Sequence, residues 1–110
     1  MKDWLLASII SIAAVFAPIK AILLVTGVLI AADLITGILA ARKRGEQIKS
    51  AGLRRTITKV LVYNSAVMLG FLMEKYMLEG FIPVSKIAAG LIFIVEGKSI
   101  FENLDVINGS

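Results

Sequence analysis

The sequence predicts an all-α integral membrane protein: one small domain over residues 1–110, with about four membrane-embedded helices, working as an oligomer. Three observations carry that expectation. The stretch Ala21 to Ala41, AILLVTGVLIAADLITGILAA, is twenty-one residues of almost unbroken apolar sequence. As a helix it is about 31 Å long, the thickness of a bilayer's hydrocarbon core. The chain of 110 residues is 58% hydrophobic and 18% charged, with a mean hydropathy of +0.89. A soluble domain of this size has too much surface for its volume to be that apolar. Directly after the apolar stretch stands Arg42-Lys43-Arg44, a basic run of the kind that fixes the cytoplasmic side of a span.

The totals also exclude chemistries. With no cysteine and no histidine, there is no thiolate or imidazole metal site, no disulfide framework and no Cys or His catalytic residue. A transmembrane barrel needs short alternating segments, whereas the apolar runs here are long and continuous. The net charge of +4 does not point to nucleic acid, because the excess lies in one interhelical segment that membrane topology explains. No nucleophile–base pair or metal cluster can be assembled, so an enzyme is not expected and no cofactor is implied.

The first helix is expected at about 4–17, ending before Pro18. At about fourteen residues it is short for a full crossing, so it either spans a thinned membrane or lies partly in the interface. Trp4, Ser8 and Ser11 share one of its faces. Either Trp4 anchors at the interface and the serines bond their own helix, or this face alternates between protein and water.

The second helix is expected at about 19–42. Asp33, Gly37 and Ala41 lie four apart and form a groove of small residues with one acid in it; Thr36 lies beside Gly37. Gly27 and Ala31 form a second small pair on another face. Such grooves let helices approach closely in lipid. An aspartate left facing lipid costs a few kcal/mol, so Asp33 is expected to face protein or water, or to be protonated.

A basic loop is expected over 43–55. Arg42, Lys43, Arg44, Lys49, Arg54, Arg55 and Lys59 are seven of the chain's twelve cations, against the single acid Glu46. They set topology and meet anionic headgroups. No phosphate-binding glycine loop is present.

The third helix is expected at about 56–76. Lys59, Tyr63, Ala66 and Gly70 line one face, with Asn64 beside it. Lys59 and Asn64 lie in the same half of the membrane as Asp33 and are its candidate partners, within one chain or between two. The fourth helix is expected at about 82–104, leaving the membrane near Glu96. Four crossings put both termini in the cytoplasm; an interfacial first helix leaves three crossings and moves the N-terminus outside.

Four features now stand in order. Asp33-x-x-Thr36-Gly37 lies in an apolar helix. A basic, glycine-broken loop with Ser50 follows. Lys59 opens the next span. Glu96-x-x-Ser99-Ile100-x-Glu102-Asn103 closes the chain. Over roughly residues 20–107 this pattern resembles the phage holin family that includes the toxin-secretion holins, although the family's longer tail is missing. The resemblance implies a small phage or prophage protein of the bacterial inner membrane that oligomerises and opens lesions. Its partners would then be copies of itself, membrane lipids and, without necessary contact, an endolysin. Gly27, Ala31, Asp33, Thr36, Gly37, Ala41, Asn64 and Gly70 are the candidate oligomerisation or pore residues. Two other readings fit the same length: a small proton-coupled exporter built on a lone membrane acid, and a non-lytic antiholin or scaffold subunit.

Overall fold

The computed structural model describes residues 2–109. It holds four α-helices: α1 (Asp3–Val15), α2 (Lys20–Lys43), α3 (Ser50–Tyr76) and α4 (Val84–Ile107). There is no strand among the described residues. α1 stops where Pro18 approaches, since proline lacks an N–H and clashes with the carbonyl four residues back. A single 3-10 turn, Ala17–Ile19, then leads into α2.

α2 ends in a Schellman arrangement. Gly45 adopts φ +77°; its N–H donates to the Arg42 carbonyl at 3.1 Å, and the Glu46 N–H to that of Ala41 at 2.9 Å. The expected loop over 43–55 is shorter in the structure. α3 begins at Ser50 rather than near Thr56, leaving only 44–49 as the connection. Gly52, Arg54 and Arg55 therefore lie on the helix. Leu53, Thr56 and Ile57 continue a helical sequence, and the Thr56 and Thr58 hydroxyls both donate to carbonyls four residues back, each at 3.1 Å.

At the opposite end α3 and α4 meet closely. The Glu74 carboxylate accepts the Ser85 N–H at 2.9 Å and also the Ser85 hydroxyl. This satisfies donors in the first turn of α4, where a helix favours an anion. A Cβ at Gly70 would lie 3.0 Å from Val84 Cγ1 and 3.4 Å from the Ser85 nitrogen, a tight approach that a larger residue could make only by displacing the start of α4. The fourth helix starts at Val84, after Pro83, and runs to Ile107, three residues past the expected end.

α2 and α4 run in the same direction, α3 runs against them, and α4 packs along both. The apolar core is Ile19, Val67, Phe71 and Ile92, with Phe16, Ile22, Leu23 and Met68 against it. It fills the half of the bundle away from the basic connection. α1 has no buried residue and packs only near the turn that follows it. Ser8 and Ser11 donate to the Trp4 and Ala7 carbonyls at 2.8 Å each, so their hydroxyls are bonded within α1 rather than presented to another helix.

The rest of the apolar surface faces outward. Two segments, Ala17–Lys43 and Ser50–Tyr76, are long and apolar enough to cross a membrane, and only 11% and 17% of their apolar windows are buried. A core helix of a water-soluble protein would be mostly buried. These helices instead present their side chains to the surroundings, as a membrane helix does to acyl chains.

Candidate functional site

Each of the three packed helices brings polar residues to one point. On α4, Glu96, Ser99 and Asn103 fall at spacings of three and four, one face of a helix, and that face meets α2 and α3. On α2 the same level carries Asp33 and Thr36; on α3 it carries Lys59 and Tyr63. At 1.5 Å per residue the cluster lies about 15 Å from the ends of the three helices at the basic connection.

Lys59 is its centre. Its ammonium donates to Asp33 Oδ2 at 3.0 Å and to Glu96 Oε1 and Oε2 at 3.2 and 3.4 Å. The Tyr63 hydroxyl donates to Glu96 Oε2 at 3.1 Å. Asp33 Oδ1 accepts the Ser99 hydroxyl at 2.7 Å and the Asn103 amide at 3.1 Å. That amide also reaches Thr36 Oγ1 at 3.1 Å, while the Thr36 hydroxyl donates to the Ala32 carbonyl at 2.7 Å. The side chains of Glu96, Asp33 and Lys59 are 1%, 13% and 26% exposed. Polar groups so placed are costly unless bonded, and here each carboxylate oxygen has a donor.

The surroundings give the cluster its level. Towards the apolar half, Leu61 and Val62 on α3 and Ile94 and Val95 on α4 are exposed. Towards the basic end, Arg54 and Arg55 on α3 are exposed, as are Lys98 and Glu102 on α4, paired at 3.9 Å. On α3 and α4 exposed charge begins on the basic side of the cluster, where it is interspersed with exposed Leu53, Ile57 and Phe101.

The remaining candidates lie elsewhere. Gly37 faces α4, and a Cβ there would meet Asn103 Nδ2 at 3.6 Å. Gly27 has nothing within 4 Å of such an atom, and Ala31 is exposed, so this pair is open at the surface; Ala41 is half-buried. Gly70 belongs to the α3–α4 contact described above. Asn64 does not join Asp33: its Oδ1 is buried with no hydrogen-bond partner. Of the basic set, Arg42, Arg44, Lys49, Arg54 and Arg55 are exposed. Lys43 donates to the Ile107 carbonyl at 2.8 Å, tying the end of α4 to the end of α2.

In the sequence, Glu96, Ser99 and Asn103 stand out as part of the family pattern, and Tyr63 as one residue on a helix face. The available signal is polar residues at i, i+3 and i+7 on one face of the helix, with Lys98 and Glu102 on another. Among the described residues no group of three or more acids, histidines or cysteines is placed to hold a metal ion.

The comparisons with known proteins agree with this picture. No curated protein and no solved structure matches the chain. The sequence model of the bacteriophage holin family matches residues 10–110, which include all four parts of the polar cluster's framework: α2, the basic connection, α3 and α4. This small helical membrane protein, its helices tied by one buried polar network, belongs to the bacteriophage holin family.

Proposed function

We propose that the chain permeabilises the bacterial inner membrane in phage lysis, and that the Asp33–Lys59–Glu96 cluster is the latch between its harmless and open states. The observation carrying this reading is that one buried polar network ties all three packed helices together at a single level. In the closed chain every carboxylate oxygen of the latch is bonded inside the bundle. When helices separate, the same groups need water or another chain, since lipid cannot solvate them. Copies of the chain supply that alternative by assembling around water.

The apolar outer surface of α2 and α3 meets lipid, and α4 crosses beside them with Glu96 turned inward. α1 is about 20 Å long, short of a bilayer core, and lies in the outer leaflet, which leaves three crossings with the basic connection in the cytoplasm. The open face at Gly27 and Ala31 is the first contact between copies, because nothing in the chain covers it. Lipids are the other partner, and an endolysin passes the lesion without having to touch the chain. Membrane potential biases the equilibrium, since one charge moved across the field is worth about 2.3 kcal/mol per 100 mV.

Expression of the chain with and without an endolysin tests the reading. Permeabilisation by the chain alone, with cell-wall breakdown only when the endolysin is present, supports it. Cells left intact by the chain would make it a non-lytic subunit.

A further inference from the structure

Between α1 and the packed helices lies a groove of about 690 Å³, within the range of about 300–1,000 Å³ that pockets for small molecules span. Ile9, Ile12, Ala13 and Phe16 form its α1 wall, at the spacing of one helix face. Leu24 of α2 and Met68 of α3 stand across from them. The lining holds one polar side chain, that of Lys20. Lys20 is exposed, and it enters none of the ion pairs among the described residues. At the same end of the bundle the Glu74 carboxylate is already committed to Ser85.

Depth and shape say what fits. Lys20 opens α2, whose 24 residues span about 36 Å. With the basic connection at one interface, Lys20 stands at the other, level with the phosphates that flank a hydrocarbon core of about 30 Å. A helix with its side chains is about 10–12 Å across, so this volume holds only about 6–9 Å of one, little more than a turn. A flexible acyl chain is thinner and follows the apolar walls. A compact ammonium at the edge of such a cleft suits a phosphate. A zwitterionic headgroup brings its own cation towards Lys20 and gains less than an anionic one.

We infer that the groove is a binding site for an anionic phospholipid of the outer leaflet, with one acyl chain between α1 and α2 and the headgroup phosphate on the Lys20 ammonium. This rests on the reading of α2 as a crossing helix with the basic connection in the cytoplasm. The lipid holds against the bundle a helix that has no buried residue of its own.

The test uses the full chain in phosphatidylcholine vesicles with a minor fraction of lipid brominated in mid-chain, either phosphatidylglycerol or phosphatidylcholine. Bromine quenches tryptophan on contact, and Trp4 is the chain's one tryptophan. In a Trp4→Phe background, Ile12→Trp and Leu24→Trp report from the two walls of the groove. Leu91→Trp, at an exposed position on α4, reports from open lipid surface. In the groove, phosphatidylglycerol reaches half-quenching at about a fivefold lower fraction than phosphatidylcholine, the effect of one lysine on an anionic lipid. Lys20→Gln removes this preference and Lys20→Arg keeps it, while at Leu91→Trp the two lipids quench alike. Equal quenching in the groove, a preference that survives Lys20→Gln, or the same preference at Leu91→Trp overturns the proposal. Quenching at Leu91→Trp with none in the groove also overturns it and puts a second copy there. Should Ile12→Trp itself block the groove, Leu24→Trp decides. No quenching at any of the three positions contradicts the crossing helices as well as the site. The preference without permeabilisation supports the site and contradicts the permeabilising reading; permeabilisation without the preference does the reverse.

Discussion

The Ser99 hydroxyl on α4 donates to Asp33 Oδ1 on α2 at 2.7 Å, joining residues 66 positions apart. With the Asn103 amide on the same oxygen at 3.1 Å, it fixes the register of two helices that run in the same direction. Ser99→Ala removes one bond and leaves a part-buried acceptor; Asn103→Leu removes the others and leaves Thr36 without a donor. Each change weakens the α2–α4 contact by about 1–3 kcal/mol. Faster hydrogen exchange in the last three turns of α4, with the outer half of α3 unaffected, is the expected readout.

Two glycines separate fold from assembly. Gly70→Leu forces a side chain against Val84 and the Ser85 backbone, an overpacking that costs about 1–3 kcal/mol and lowers the melting temperature of the chain in detergent. A Cβ added at Gly27 meets nothing within 4 Å, so Gly27→Leu has open space to enter. It leaves helix content and melting unchanged but reduces cross-linking between copies. Unaltered cross-linking would move the contact between copies to another face.

Lys43→Ala frees the Ile107 carbonyl and removes a cation from a helix C-terminus, an effect of about 0.3–1 kcal/mol. The outcome is local: the final turn of α4 frays, seen as loss of amide protection at Val106 and Ile107, while the Asp33 cluster stays intact.

Topology can be read with single cysteines. Gln47→Cys, in the basic connection, labels from the cytoplasmic side. Phe81→Cys, 88% exposed in the turn between α3 and α4, labels from outside. Met1→Cys preceded by a new initiator methionine separates three crossings from four: outside labelling goes with an interfacial α1.

Much of the bundle can be read without coordinates because apolar length, proline and charge are local properties. Pro18 and Pro83 mark where helices break, and the run from Ala21 to Ala41 has no rival as a span. The start of α3 is harder to read. Gly52 and the arginines look like loop, yet a glycine in a first helical turn costs little when Leu53 and Ile57 continue the helical sequence. At the candidate site, Asp33 and Lys59 are legible as occupants of the same half of the membrane, but their levels match only because α3 begins at Ser50 and not near Thr56. Glu96, Ser99 and Asn103 have no such local rule, because their partners depend on how α4 is rotated about its axis. Asn64 shows the same limit: its neighbour Tyr63 points into the cluster, and a step of one residue turns Asn64 away.

The most direct test of the latch is the onset of membrane permeabilisation in induced cells carrying Asp33→Ala, compared with the parent chain at equal protein level. The substitution strips Ser99 and Asn103 of their shared acceptor and Lys59 of one carboxylate. The account predicts an earlier onset together with an altered oligomer size, since the closed state alone loses these bonds. An onset and an oligomer size indistinguishable from the parent's would contradict it.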